Sequence, residues 1–433
     1  MKIIRTEIKR KEQIVEIECL APLYLPFYNE CCQNKYYFYQ PFKFDPFEIW
    51  AFTTSGSPCI LGQNLFVGFL NETGGTFEYD GAGCLTVTVP AGQELFVSEG
   101  GDPFEAWKEY NNIIISSEGF KTPYYDHKEE FWKQIEYCTW VEQKHLAAVE
   151  GGKNVQSVLS EEFVYDYMRR VKALGLPTGK LTIDDGWDLE FDENGKRIYG
   201  NWEPDPTRFP HFEQMVKDMT DNGFIPGLWF APFTMTPSCR LAKTHPELVG
   251  HTWSQDPIAE SDRKLHYIVD DDELDDYYKS IFHKYIDMGF KKFKLDMSYG
   301  NKREMKLLMK RIYRIIKEKD PSVEVETHMP DIFLAKYSDT VRINDVLLDD
   351  NGVWRGVTTE HWRVSRNSCD KILNLDHIGT NTPMPREEDY VMHTKMLLAL
   401  KGGYPCVSLL PDNFGGETAK SFVDAVNAWK FTE

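Results

Sequence analysis

The chain has 433 residues, 42% hydrophobic and 27% charged, the balance of an ordinary soluble globular protein large enough for two cores. A net charge of −19 argues against nucleic acid or an anionic membrane surface as partner, because both require basic patches. No run of about 18 apolar residues occurs, so no membrane span is expected.

The first residues, MKIIRTEIKRKEQIVEIE, mix charged and apolar side chains and lack the apolar core of a secretory signal. The cysteines number nine, an odd count, scattered and without a C-x-x-C pair. That pattern favours neither a disulfide framework nor a zinc site, and the simplest compartment is a reducing cytoplasm. Aromatic residues reach 14%, which core packing explains unless the rings sit beside catalytic carboxylates.

The first hundred residues hold short alternating or apolar runs cut by Gly, Asn, Pro and Ser, among them IVEIECL, ILGQNLFVGFL and CLTVTVPAG. They predict antiparallel strands in a small β-sandwich. Helical spacing over 102–119 predicts a linker helix, with Pro123 marking a boundary. The expected organisation is a β-rich N-terminal domain with its linker helix over 1–121 and a second domain over 122–433.

From about residue 130 the rhythm becomes strand, helix, strand, the signature of parallel α/β structure. Predicted strands cover 135–141, 180–185, 224–233, 291–297, 323–329, 339–346, 371–379 and 404–410. Amphipathic stretches such as SEEFVYDYMRRVKALG and KREMKLLMKRIYRIIKEKD lie between them. Eight strands over this length fit a (β/α)8 TIM barrel. A doubly wound sheet is the rival, weakened by the lack of a Gly-rich phosphate loop after the first strand. The closing stretch ETAKSFVDAVNAWKFTE predicts one last helix, so no C-terminal β-domain is expected.

Polar residues collect where these strands end. The second strand ends in Asp184, Asp185 and Trp187, and the third carries Trp229. The fourth carries Lys294 and Asp296, and the sixth Arg342 and Asp345. One acid after a strand is as readily a turn or helix-cap residue; four at three strand ends, interleaved with Lys, Arg and Trp, point to a site on the C-terminal rim. Paired carboxylates there suit glycoside hydrolysis, with one as nucleophile and the other as acid/base. Lys294 and Asp296, two apart on a strand, face the same way, so the ammonium favours an ionised nucleophile. The acid/base needs the opposite tuning. Asp345 is the first candidate, with Asp349 and Asp350 as alternatives. His328 reads equally well as a site residue or a hydrogen-bonded support.

No metal or other cofactor is expected. The acidic run Asp270, Asp271, Asp272, Asp275 and Asp276 lacks the spacing of a calcium loop and reads as a solvated acidic helix start.

At these residues the chain resembles the retaining α-galactosidases of glycoside hydrolase families 27 and 36, family 36 best. The resemblance rests on Asp184-Asp185-Gly-Trp187, on GNWEPDPTRFPHFEQMVKDMTDNGFIPGLWFAPF (200–233), on Lys294-Leu-Asp296 and on Arg342-Ile-Asn-Asp345. It implies a nucleophile at Asp296 and an acid/base at Asp345. Asp184 and Asp185 would hold the 4- and 6-hydroxyls of the sugar, Lys294 and Arg342 the remaining hydroxyls, and Trp140 and Trp229 would shape the pocket. The family usually spaces its arginine and acid/base one residue further apart, has larger β-domains, and often has a cysteine in the strand-5 region where this chain reads Glu-Thr-His-Met-Pro. The substrate implied is a terminal α-linked galactose-type oligosaccharide or glycoside. Alternatives are an α-glucosidase of the family 31 type, which shares the DPTRFP-like segment, an α-N-acetylgalactosaminidase, a transglycosylase, or a sugar-binding barrel without turnover. Assembly as a homo-oligomer is left open.

Overall fold

A computed structural model describes residues 2–9, 12–18, 23–24, 51–72, 74–252, 265–298, 302–343, 348, 352, 354–378 and 382–433. The N-terminal strands form two antiparallel sheets. One runs in the order Lys2–Lys9, Glu12–Glu18, Cys84–Val89, Thr76–Asp80, Ala51–Ser55; the other in the order Leu23–Tyr24, Cys59–Gly62, Leu65–Phe69, Leu95–Glu99. Alternate residues of both, including Ile17, Ile60, Val67, Phe77, Leu85 and Val87, share one core, as period-two patterning requires.

The linker helix Pro103–Ser116 starts as its sequence predicts, with Asp102 accepting from the Phe104 amide at 2.9 Å and proline in the first turn. Its Trp107, Tyr110 and Ile114 pack between Leu61 and Phe66 on one side and Phe120, Phe333 and Val364 on the other. The helix is therefore a wedge that mounts the sheets on the larger, C-terminal part of the chain.

That larger part is a closed eight-stranded parallel barrel. Its strands are β1 (Glu136–Cys138), β2 (Lys180–Ile183), β3 (Ile225–Phe230), β4 (Lys292–Leu295), β5 (Glu324–Thr327), β6 (Thr340–Arg342), β7 (Ile372–Ile378) and β8 (Gly403–Val407). All eight predicted strands are present in the predicted order, each shorter than its apolar run. The predicted first strand stops at Cys138, because Trp140 already opens the helix Trp140–Val149. The sixth is described as Thr340–Arg342, and residues 344–346 of its predicted span lie outside the described residues. The helix Trp354–Ser368 and the short sheets at 190–198 and 234–268 were not anticipated.

Barrel interiors usually hold layers of branched apolar side chains. Here the inward positions are charged. Lys180 and Glu324 pair at 3.1 Å, and Lys180 stands 3.2 Å from the centre of the Tyr404 ring. One step along, Lys292 lies 2.5 Å from both Glu136 and Glu326, and Asn374 donates to both acids. Gly227 of β3 admits this layer: a Cβ there would stand 2.6 Å from the Thr182 hydroxyl. The apolar residues of the strands, such as Phe293 and Leu295, point outward to the helices and form the main core. Strand parity thus delivers Lys292, Lys294 and Asp296 to the barrel axis in succession.

The acidic run is solvated in part as predicted: Asp271, Asp272 and Asp276 are exposed at the helix start, whereas Asp270 and Asp275 are held by arginines. Asp270 pairs with Arg311 at 2.8 Å, and Asp275 with Arg311 and Arg314 of the helix Lys302–Lys319.

Candidate active site

Asp296 lies just past β4 on the C-terminal rim, its amide bonded to the Phe230 carbonyl at 2.8 Å. Its side chain remains 21% exposed, whereas Lys294, His328 and Arg342 around it are nearly closed to solvent. Asp296 Oδ2 accepts from Trp229 Nε1 at 3.1 Å and Oδ1 from the Met297 amide at 2.7 Å. Arg342 Nη2 stands 3.7 Å from Oδ2 and His328 Nε2 3.8 Å from Oδ1. Burial opposes the charge on Asp296, but the Arg342 and Lys294 cations and the Trp229 hydrogen bond outweigh it and hold the carboxyl well below the usual carboxylate range.

Lys294 makes its direct contact elsewhere. Its ammonium lies 2.5 Å from Asp184 Oδ2, and Cys138 Sγ donates to the same oxygen at 3.0 Å. Burial and Arg342 oppose the lysine charge; Asp184 and Asp296 override them and keep it protonated well above its ordinary range. Lys294 therefore joins the two aspartates electrostatically while touching only one. Asp185 is anchored by Arg197 at 2.6 Å and by Gln156 at 3.0 Å. Arg197 also holds Asp188 at 2.8 Å, whose carboxyl burial pushes up to about 6 against that pairing.

Arg342 is the most connected group. It donates to His377 Nε2 at 3.0 Å and to His328 Nδ1 at 3.3 Å, and lies 3.6 Å from Asp376. His377 Nδ1 faces Cys406 Sγ at 3.5 Å. Cys138, His377 and Cys406, all buried, bring potential soft-metal ligand atoms within 4.8 Å of one another. Met297 and Asp376 both have positive φ, 55° and 66°, an uncommon state for residues other than glycine that concentrates at functional sites.

The structure thus brings together Asp184, Asp185, Trp229, Lys294, Asp296, His328 and Arg342. Trp140 sits half-buried in the first turn after β1, on the same rim. Asp345, with Asp349 and Asp350, lies outside the described residues. Trp187 requires correction as a substrate-contacting residue. It is fully buried, donates to the Trp229 carbonyl at 2.9 Å and packs against Phe212, Phe230 and Tyr285. It supports the site from behind, because the turn after Asp185 directs the indole into the core. Trp187→Ala is expected to cost about 3–5 kcal/mol in denaturant unfolding, a loss that an exposed rim tryptophan would not produce.

Asp376, His377, Cys138 and Arg197 were missed. Asp376 and His377 satisfy the same strand-end criterion as the residues that were found. Arg197 arrives from a short hairpin between β2 and β3 and has no local signal. Away from this rim, a cavity of about 390 Å³ opens beside Trp202, Arg240 and Lys284, and its two basic side chains are both paired to Glu203.

Residues 160–305 match the family model described as Melibiase. In overall structure the chain is similar to an α-galactosidase from Thermus thermophilus determined in complex with stachyose, with TM-score 0.67, 16% identity and coverage of 99% of this chain and 97% of that one. An α-galactosidase from Lactobacillus brevis matches with TM-score 0.60 at 13% identity, over 98% of this chain and 62% of the other. A GH36 α-galactosidase from Geobacillus stearothermophilus matches with TM-score 0.59 at 14% identity, over 96% and 62%. At these identities the likeness to the solved structures is one of fold. The matched segment spans β2, β3, β4 and three of the rim acids, and together with the architecture it makes the chain α-galactosidase-like.

Proposed function

We propose that the protein is a retaining glycoside hydrolase that releases terminal α-linked galactose-type sugars. The observation that carries this reading is Asp296, a partly open carboxylate at a barrel-strand end, held ionised by Arg342, Lys294 and Trp229. A nucleophile must be ionised when the sugar arrives. Beside it, Asp184 and Asp185 are immobilised by Lys294, Gln156 and Arg197, which suits them to accept hydrogen bonds from sugar hydroxyls. Trp229 and Trp140 border the sugar, and Lys294 and Arg342 supply donors.

Asp296 attacks the anomeric carbon as Asp345 protonates the departing glycosidic oxygen. A β-linked glycosyl-Asp296 ester forms, and water deprotonated by Asp345 then releases the sugar with its α configuration restored. The Melibiase match and the galactosidase neighbours favour galactose; one neighbour is described with p-nitrophenyl α-D-galactopyranoside. Cys138 and Cys406 sit close together as free thiols, which fits a reducing cytoplasm.

The test is a panel of p-nitrophenyl α-glycosides followed by trapping with a 2-fluoro galactosyl fluoride. The α-galactoside should be turned over fastest, and peptide mapping should place the label on Asp296. Release from none of the panel refutes the hydrolase, and a label on another residue refutes the nucleophile.

A further inference from the structure

We propose that Arg342 sets the direction of the hydrogen bonds that run through His328 and His377, fixing His328 as its Nε2–H tautomer and His377 as its Nδ1–H tautomer, so that both act as positioning residues. A guanidinium has five N–H donors and no acceptor. Whatever ring nitrogen it addresses must present a lone pair. Arg342 Nη2 addresses His328 Nδ1 and Nη1 addresses His377 Nε2. Each neutral imidazole therefore carries its single proton on the opposite nitrogen.

For His328 that opposite nitrogen is Nε2, 3.8 Å from Asp296 Oδ1. The nucleophile is met by an N–H dipole rather than a lone pair that would repel it. The same assignment excludes His328 as the base that activates water, since its lone pair is committed to Arg342. For His377 the proton is on Nδ1, aimed at Cys406 Sγ at 3.5 Å. Cys406 then accepts through sulfur, and its own S–H is left to turn toward Cys138, whose Sγ lies within 4.8 Å of it. Cys138 in turn donates to Asp184 Oδ2, because an ionised carboxylate only accepts.

Two directed chains leave one arginine. One points at the nucleophile across 3.8 Å; the other ends on the aspartate assigned to a sugar hydroxyl. The arrangement also turns an N–H, not a lone pair, toward the two thiols, so the Cys138–His377–Cys406 cluster is a hydrogen-bonded support while Arg342 holds the ring.

The tautomer assignment stands on geometry, and its functional consequence rests on the glycosidase reading above. Histidine-selective 15N labelling of the full chain reports tautomers directly, with His328→Asn and His377→Gln assigning the two resonances. At neutral pH His328 should show Nε2–H and His377 Nδ1–H; the reverse tautomer or an imidazolium at either position overturns the proposal. For function, His377→Phe removes the acceptor, whereas the His377→Gln carbonyl replaces it. On p-nitrophenyl α-galactoside, Phe should lower kcat/KM by about tenfold or more, and Gln should restore most of that loss. Equal losses in the two variants refute the positioning role. An inactive wild type would sink the hydrolase reading, and the 15N tautomers would still decide this one.

Discussion

Asp296→Asn should lower kcat/KM on p-nitrophenyl α-galactoside by roughly 10⁴-fold or more, as expected when a nucleophile is removed. The amide keeps the shape and can still accept from Trp229, so sugar binding measured by calorimetry should persist. Loss of binding together with turnover would mean that Asp296 anchors the sugar instead of attacking it. The same carboxylate contributes to stability. Its pKa is held below that of an unfolded aspartate, about 3.9, so the contribution is complete above that pH and lost as pH falls through the depressed folded value. Asp296→Asn should therefore narrow the stability difference between neutral and acidic solution, measurable as thermal midpoints across pH.

Lys292→Met should damage the scaffold severely, at about 3–5 kcal/mol, because breaking a buried ion pair leaves its partners uncompensated. The Lys292 ammonium is wholly buried, 2.5 Å from Glu136 and Glu326, 3.6 Å from Glu324 and 3.0 Å from the Tyr404 hydroxyl. Burial opposes its charge, and the three glutamates raise its pKa well above the ordinary lysine range. Without it, Glu136 and Glu326 face one another in the barrel with only Asn374 shared between them. Neighbouring Lys180 is already paired with Glu324 at 3.1 Å, and burial brings its pKa down to about 8 despite that partner. Denaturant midpoints of Lys292→Met should fall far below those of Lys420→Ala, a control whose partner Asp424 is 64% exposed. Similar midpoints would show that the inner charge layer is not a stability element.

The barrel and its rim were largely legible in the chain. Period-two strands alternating with amphipathic helices imply parallel α/β structure whatever the side-chain details. An acid at the end of an apolar strand can be read as a rim residue, as Asp184, Asp185 and Asp296 were, although Asp376 of β7 was passed over. Strand length was less legible, because an apolar run continues past the last ladder bond into the loop; Trp140 belongs to a helix for that reason. Trp187 misled because the sequence places it on the rim, while the direction of its side chain depends on the turn just after Asp185. The inner charges were invisible for a related reason. Glu136, Lys180, Lys292, Glu324 and Glu326 are spread over nearly two hundred residues, and only closure of the barrel makes them neighbours.

The Lys294–Asp296 pair marks the division. Their two-residue spacing on a strand required both side chains to face the barrel axis, and no tertiary information was needed for that. Which acid the lysine touches was decided by the fold: β2 brings Asp184 to 2.5 Å, and the Arg342 guanidinium joins the lysine in holding Asp296 ionised. Local backbone geometry sets the direction in which a side chain leaves its strand, whereas its partner is set by which strands the closed barrel places alongside.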